Sequence, residues 1–146
     1  MTNIENIQKA ITDKTKIIWM ESPTNPTMKV IDVEAICKIA KKNKILTVVD
    51  NTFATSYIQS PILLGADMVF HSCTKYLGGH SDVVMGALVM NDKDLHSKLF
   101  LNSCSIGACS SPFDCFLMTR GIKTLGVRVL KATENAYHLA HFAEKS

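Results

Sequence analysis

Four short apolar runs, rich in β-branched residues, alternate along the chain with segments in which apolar residues recur at helical spacing. The runs are almost continuously apolar, which is typical of strands that are covered on both faces of a parallel sheet. The predicted strands are TKIIWMES (15–22), ILTVVD (45–50), ADMVFHS (66–72) and VVMGALVM (83–90). Strands that alternate with helices predict an α/β fold, with a mostly parallel sheet flanked by helices.

Helices are predicted before, between and after these strands. The segment 32–43 is amphipathic, and Asp32 stands where an N-cap is expected. The segment 60–65 is predicted as a short helix, because Pro61 is suited to a first helical turn. The other predicted helices span 3–11, 92–103 with Asp92 as N-cap, 111–121, and 124 to the C-terminus.

Composition restricts the classes of function. The 146 residues are 47% hydrophobic, enough for one domain with a core, and 16 basic against 13 acidic residues leave a net charge of only +3. This charge is too small and too evenly spread to predict binding to nucleic acid or to a membrane surface. The five cysteines and the polar N-terminus predict reduced thiols in the cytoplasm, and without CxxC or HxxxH spacing no metal site is predicted.

Three polar segments follow the first three predicted strands: ESPTNP (21–26), DNTFATS (50–56) and HSCTKYLGGHSD (71–82). In α/β sheets, ligands bind beyond the carboxyl ends of the strands, so these segments are expected to converge on one crevice. A dinucleotide site is disfavoured, because no strand is followed by GxGxxG.

The polar residues of these segments each have a purely local interpretation. Asp50 could cap the following turn, Asn25 could be a turn residue, Ser72 and Thr74 could bond to nearby backbone, and Lys75 could be solvated. Taken together, a carboxylate, a lysine and two hydroxyls at neighbouring strand ends suit pyridoxal phosphate. Its aldehyde requires an amine, its ring nitrogen an anion, and its phosphate hydrogen-bond donors.

The segments ESPTNP, VVDNTF, GADMVFHSCTKYLGGHSDVVMG and RGIKTL, in this order, resemble the cystathionine γ-lyase-like branch of the Cys/Met-metabolism pyridoxal-phosphate enzymes. The resemblance runs over residues 1–146 and implies part of an aspartate-aminotransferase-like large domain. It implies that Lys75 binds pyridoxal phosphate as a Schiff base and then carries protons. It also implies that Asp50 pairs with the ring nitrogen, that Ser72 and Thr74 bind the phosphate, and that Asn25 lies near the ring oxygen and the substrate carboxylate.

Other residues of the third segment are expected to serve the structure. Gly78 and Gly79 would permit the turn after Lys75, Cys73 would point into the packing, and His80 would stabilise the turn by a hydrogen bond.

The resemblance further implies γ-elimination of cystathionine to cysteine, 2-oxobutanoate and ammonia, with release of sulfide from cysteine as a related reaction. Methionine γ-lyase, cystathionine β-lyase and cystathionine γ-synthase activities remain alternatives within the family. A truncated, non-catalytic remnant is the alternative from another class, because the chain is much shorter than family members.

By this resemblance, residues 1–123 form the central part of the cofactor-binding domain, and residues 124–146 form a helix that leads toward a small domain outside this sequence. The substrate would be a small sulfur amino acid. The assembly would be a homotetramer built from dimers that share active sites. A chain of this extent is also expected to expose sheet faces that are covered in the family.

Overall fold

A computed structural model describes residues 2–145 of the chain. Its helices are α1 (Ile4–Ala10), α2 (Val33–Lys42), α3 (Thr55–Ile58), α4 (Lys93–Ile106), α5 (Pro112–Ile122) and α6 (Leu125–Glu144). Its strands are β1 (Ile17–Glu21), β2 (Leu46–Asp50), β3 (Met68–Ser72) and β4 (Gly86–Met90). Between β3 and β4 lies a helix-like segment, Cys73–Leu77, which is kinked at Lys75, where φ is −95° and ψ is −126°; we call it the Lys75 turn.

The four strands form one sheet in the order β1-β2-β3-β4. The first three strands are parallel, and β4 runs antiparallel to β3, which confirms the prediction of a mostly parallel sheet. In this register Asp50 lies opposite Glu21 on one side and Phe70 on the other. The carboxyl ends of the three parallel strands therefore meet at one edge of the sheet.

The core lies between one face of the sheet and helices α1 and α2. The buried residues of this cluster are Ile7, Ile18, Met20, Ile31, Val33, Ile36, Cys37, Ala40, Ile45, Val49 and Ala66. The Asp32 carboxylate accepts a bond of 2.9 Å from the Ala35 N–H, so the predicted N-cap of α2 is confirmed. This cap fixes where α2 begins and places its apolar face against the sheet.

The opposite face of the sheet is only partly covered. Trp19 packs against Phe70, with ring centroids 5.6 Å apart, yet Trp19 is 52% exposed and Leu88 is 45% exposed. The expectation of exposed sheet faces is therefore confirmed: Trp19 and Leu88 lie in apolar runs that are typical of buried strands, yet both are about half exposed.

The prediction of a helix at 60–65 is wrong. Its backbone bonds join residues three apart, as in Leu64 N–H to Pro61 O (3.0 Å), and Gly65 ends the segment with a left-handed φ of +96°. Six residues are too few to propagate an α-helix without strong tertiary support, so the segment forms successive tight turns. The short helix α3 lies earlier, where none was predicted.

Strand β4 begins three residues later than predicted, because residues 83–85 are tied to the Lys75 turn. Thr74 N–H donates to Met85 O (3.2 Å), and Met85 N–H donates to Thr74 Oγ1 (3.0 Å). Helix α4 extends to Ile106 and ends at Gly107, whose φ is +74°. Among residues 2–145, no helix combines the length and apolarity that crossing a bilayer requires.

Candidate active site

The three polar segments that follow the parallel strands are joined by hydrogen bonds. Gln59 Nε2 donates to Ser22 O (3.2 Å) and to Asn51 Oδ1 (2.9 Å), which links the first segment to the second. Ser72 N–H donates to Thr52 Oγ1 (2.9 Å), which links the second segment to the third. The segments therefore meet at one polar edge of the sheet, as predicted. They do not share one crevice, because residues of the third segment line one opening, whereas Asp50 and residues of the first segment line another.

Asp50 ends β2 at this edge and is half-buried. Its Oδ1 accepts a bond of 3.0 Å from the Thr52 N–H, so the local interpretation of Asp50 as a turn cap is realised. Its Oδ2 has no hydrogen-bond partner in the described part of the chain. One oxygen therefore shapes the turn, while the other is available to a cationic group.

Lys75 lies in the turn that follows β3. Within residues 2–145 its ammonium makes no hydrogen bond and no ion pair, and it lines a cavity of about 770 Å³ together with Thr74, Gly79 and Arg128. We call this opening the Lys75 cavity; it is large enough for a cofactor and a small substrate. Asp50 lines a separate groove of about 290 Å³ with Glu21 and other β1 residues, and none of the described residues lines both openings.

Ser72 and Thr74 differ in what their hydroxyls do. The Ser72 hydroxyl has no partner among the described residues, although its N–H is held by Thr52. The Thr74 hydroxyl donates to Met85 O (3.3 Å) and accepts from Met85 N–H (3.0 Å). Since a hydroxyl has a single proton, Thr74 would have to turn away from Met85 O in order to donate to an anion.

Asn25 lies in the loop after β1 and is exposed. Its N–H donates to Glu21 Oε2 (3.1 Å), as expected of a turn residue, and its side-chain amide has no partner in the region the structure describes. Asn25 does not line the Lys75 cavity or the Asp50 groove.

The expectations for the structural residues of the third segment hold. His80 Nδ1 donates to Gly78 O at 2.7 Å, which confirms the turn-stabilising bond. Cys73 is buried, and burial raises the pKa of its thiol above the ordinary value of 9.0, which confirms that it belongs to the packing. Gly79 takes a left-handed φ of +73°, whereas Gly78 has a right-handed helical conformation. Both glycines therefore permit the turn: Gly79 by its left-handed conformation, and Gly78 because a Cβ there would lie 2.7 Å from Cys73 O.

His71 is a buried histidine for which the sequence suggested no role. It is only 5% exposed, and its Nδ1 has no hydrogen-bond partner among the described residues. Burial lowers the pKa of His71 below its ordinary value of 6.5, and the nearby Asp50 carboxylate opposes this effect in part. The neutral imidazole is therefore the form that the fold prefers.

This preference predicts a pH dependence of stability. Because the pKa is lower in the folded than in the unfolded chain, the unfolded state binds the proton first as pH falls below 6.5. His71 is expected to lower the free energy of unfolding by up to about 1.4 kcal/mol per pH unit in this window. Urea titrations between pH 7.5 and about 5 should show a steeper loss for the parent than for His71→Gln, with the exposed His138→Gln as the control. Equal slopes in parent and His71→Gln would contradict the prediction.

Two residues that shape the site were missed by the sequence interpretation. Thr52 bridges Asp50 and Ser72, and Arg128 bonds to the Lys75 turn from α6. Thr52 lies in the polar segment 50–56, and its place two residues after Asp50, at the end of a strand, could have indicated that it contacts the neighbouring segment. Arg128 lies in a long helix 53 positions after Lys75 (128 − 75 = 53), where nothing in the helical pattern marks it.

The described residues bring together no group of three or more His, Cys, Asp and Glu side chains that could hold a metal ion. The donor set at the strand ends is instead an amine, a carboxylate and hydroxyls. These groups fit an aldehyde, a protonated ring nitrogen and a phosphate, respectively.

Comparisons with known proteins agree with this donor set. The sequence profile of the Cys/Met metabolism PLP-dependent enzymes matches residues 1–146. The chain is 48% identical to a cystathionine gamma-lyase of Dictyostelium discoideum over 99% of this chain and 38% of that protein. It is 49% identical to a cystathionine beta-lyase of Lactococcus lactis subsp. cremoris (strain MG1363) over 100% of this chain and 38% of that protein.

Among solved structures, metB from Corynebacterium glutamicum superimposes with a TM-score of 0.97 and 45% identity, over 99% of this chain and 38% of that one. The chain thus spans less than two fifths of the length of these relatives and has part of an aspartate-aminotransferase-like fold. By its sequence and its fold, the chain belongs to the pyridoxal-phosphate-dependent enzymes of cysteine and methionine metabolism.

Proposed function

We propose that this chain carries the cofactor-binding centre of a pyridoxal-phosphate-dependent carbon–sulfur lyase that acts on cystathionine. The observation that supports this most directly is the state of Lys75. Its amine has no partner in residues 2–145 and lines a cavity of about 770 Å³, in the turn that follows β3, and β3 pairs with the strand that ends at Asp50. Lys75 is exposed, and most lysines of the described residues also have no ion pair, so what distinguishes Lys75 is its place in the turn after a parallel strand, where it lines this cavity.

The roles of the cofactor-binding residues follow from their chemistry. When bound, pyridoxal phosphate supplies an electron-accepting ring that stabilises negative charge on the substrate carbons. Asp50, through the oxygen not used by Thr52, would keep the ring nitrogen protonated. Ser72 would donate its free hydroxyl to the phosphate, and Thr74 would do so after leaving Met85 O.

Lys75 would have two tasks. Nζ would hold the cofactor until the substrate amine replaces it. The released Nζ would then accept the proton from the substrate Cα, deliver it to the C4′ position of the cofactor, and so be free to accept the next proton from Cβ. Loss of the Cβ proton expels the γ-sulfur. Asn25 would bind near the ring oxygen and the substrate carboxylate, from the loop after β1.

γ-Elimination is preferred over the other reactions of the family because residues 83–86 (VVMG) and 109–125 (CSSPFDCFLMTRGIKTL) resemble the γ-lyase branch more than its relatives. Cystathionine and water would give cysteine, 2-oxobutanoate and ammonia, with sulfide release from cysteine as a second reaction of the same site. The β-lyase remains the second candidate, because a cystathionine beta-lyase is as similar to this chain as the γ-lyase is.

The organisation of the whole protein is part of the same proposal. Residues 1–123 would form the centre of the cofactor-binding domain, and residues 124–146 would lead to a small domain. The half-exposed apolar face of the sheet supports burial against further protein, in a tetramer of dimers that share active sites. The cytoplasmic location remains a prediction from the unpaired cysteines.

The products of cystathionine cleavage test the reaction. The chain, supplied with pyridoxal phosphate and cystathionine, is expected to form 2-oxobutanoate and cysteine in equal amounts, because Lys75 would remove the Cβ proton whose loss breaks the bond between Cγ and sulfur. Chromatography of the oxo acids distinguishes the candidates. Pyruvate with homocysteine would identify a β-lyase and overturn the γ-elimination proposal, and no oxo acid would favour a non-catalytic remnant.

A further inference from the structure

Arg128, on α6, forms four hydrogen bonds around the Lys75 turn. Nη1 donates to Tyr76 O (2.6 Å), and Nη2 donates to Leu77 O (3.3 Å) and Gly121 O (2.9 Å). Nε donates to Thr124 Oγ1 (3.0 Å). Four of the five guanidinium N–H groups are thereby used, so Arg128 is committed to this turn and is poorly placed to bind a substrate carboxylate as well.

The carbonyls that Arg128 reaches complete the bonding of the Lys75 turn. Cys73 O accepts from Gly78 N–H (2.9 Å), and Lys75 O accepts from Gly79 N–H (2.8 Å). The next two carbonyls, of Tyr76 and Leu77, bond to the guanidinium instead. Because buried or half-buried carbonyls require hydrogen-bond donors, the guanidinium supplies at Tyr76 and Leu77 the donors that the kinked backbone of this turn does not provide.

The space for the guanidinium depends on Gly79. A Cβ built on Gly79 would lie 2.1 Å from Nη1 and 2.3 Å from Cζ of Arg128, far inside van der Waals contact. Gly79 also has a φ of +73° and lines the Lys75 cavity together with Lys75 and Arg128. The absent side chain at position 79 thus allows Arg128 to lie directly against the backbone that carries Lys75.

We propose that Arg128 is a positioning residue: seated on Gly79, it fixes the Lys75 turn so that the Lys75 amine is presented to the cavity. We call the bonds from the Arg128 guanidinium to the carbonyls of Tyr76, Leu77 and Gly121 the clamp. The role of Arg128 toward the cofactor depends on the function proposed above, whereas the clamp does not. Arginine suits this position because its planar fork reaches three carbonyls and a hydroxyl at once. A lysine ammonium has three donors and no fixed plane.

Two glycine variants separate the loss of the clamp from the cost of backbone strain. Gly107 has a φ of +74°, nearly the same as Gly79, but a Cβ at Gly107 would meet nothing within 4 Å. Gly79→Ala and Gly107→Ala therefore impose a similar left-handed strain, and only Gly79→Ala displaces Arg128. Arg128→Met removes the clamp directly, and Arg128→Lys retains the charge without the fork.

The first measurement is amide hydrogen exchange of Gly78 and Gly79 in the cofactor-free chain, which reports opening of the Lys75 turn independently of catalysis. Exchange is expected to quicken about tenfold or more in Gly79→Ala, Arg128→Met and Arg128→Lys, since bonds from a charged donor are lost. In Gly79→Ala only the Gly78 amide is compared with the parent, because residue 79 itself is changed. Gly107→Ala is expected to leave exchange at Gly78 unchanged.

The second measurement is the rate at which added pyridoxal phosphate becomes fixed to Lys75 by borohydride, followed by peptide mass mapping. The same three variants are expected to slow this rate about tenfold, and Gly107→Ala to match the parent. Parental exchange in Arg128→Met, or equal effects of Gly79→Ala and Gly107→Ala, would overturn the clamp. Faster exchange with parental capture of the cofactor would overturn its positioning role. No capture by the parent chain would instead refute the proposed function.

Discussion

Replacing Lys75 by alanine is expected to abolish covalent capture of pyridoxal phosphate and to reduce cystathionine cleavage about 10²- to 10⁴-fold. The reason is that one amine would serve both as the attachment point and as the carrier of protons. Lys75→Arg should fail equally, because a guanidinium remains protonated and does not replace a primary amine. The parent should show a near-visible absorbance band that borohydride removes, and neither variant should show it.

Lys98→Ala is the matched control for this prediction. Lys98 lies on α4, outside the polar edge of the sheet, so its loss should leave both the band and the turnover unchanged. Peptide mapping after borohydride treatment should place the modification at residue 75 in the parent and in Lys98→Ala. Modification spread over several lysines, or retained in Lys75→Ala, would show that the chain has no dedicated attachment site.

The positions of the strands and of most helices could be predicted because the local sequence patterns and the tertiary packing favour the same structure. The run at 45–50 is apolar and β-branched, and it became β2 in the centre of the sheet. Asp32 and Asp92 precede amphipathic or polar helices, and each caps its helix as expected. Where local and global preferences coincide, sequence patterns alone are sufficient to locate an element.

The sequence predictions were wrong where the conformation of a short segment is determined by contacts with residues distant in the sequence. Residues 83–85 are apolar enough for a strand, yet Met85 bonds to Thr74, and the sheet begins only at Gly86. The polar edge with Asp50 and Lys75 could be predicted from strand order, because parallel strands bring their carboxyl ends together. The clamp by Arg128 could not, since it depends on how α6 lies against a turn about 50 residues earlier.

Gly79, just after the Lys75 turn, and Gly121, in α5, are both sites where another part of the chain approaches closely. A Cβ on Gly79 would enter the guanidinium of Arg128, and a Cβ on Gly121 would lie 2.3 Å from Gly78 O. The Gly78 carbonyl is also the acceptor for His80, and the Gly121 carbonyl accepts from Arg128. Helix α5 thus packs at the end of this turn by its backbone at Gly121, and α6 packs there through the Arg128 side chain. A Cβ at Gly121 or at Gly79, respectively, would obstruct these contacts.

This close approach predicts that Gly121→Ala lowers the free energy of unfolding by about 2 kcal/mol or more. Alanine favours a helix over glycine by about 1 kcal/mol, so a gain would be expected from helix propensity alone. Here the added methyl meets the Gly78 backbone, whose N–H is bonded to Cys73 O (2.9 Å), so that Gly78 cannot retreat without disturbing the Lys75 turn. The cost of the clash therefore exceeds the gain in propensity, and urea unfolding should show the loss.

Gly126→Ala, in α6, is the control with the opposite expected sign. A Cβ at Gly126 would meet only the ring of Tyr57, at 3.0 Å, and that side chain is 49% exposed and able to move aside. Helix propensity should then dominate, so Gly126→Ala is expected to be neutral or to stabilise the chain by up to about 1 kcal/mol. If both variants were stabilising, α5 would not be in backbone contact with the Lys75 turn, and the packing that fixes Lys75 would have to be sought elsewhere.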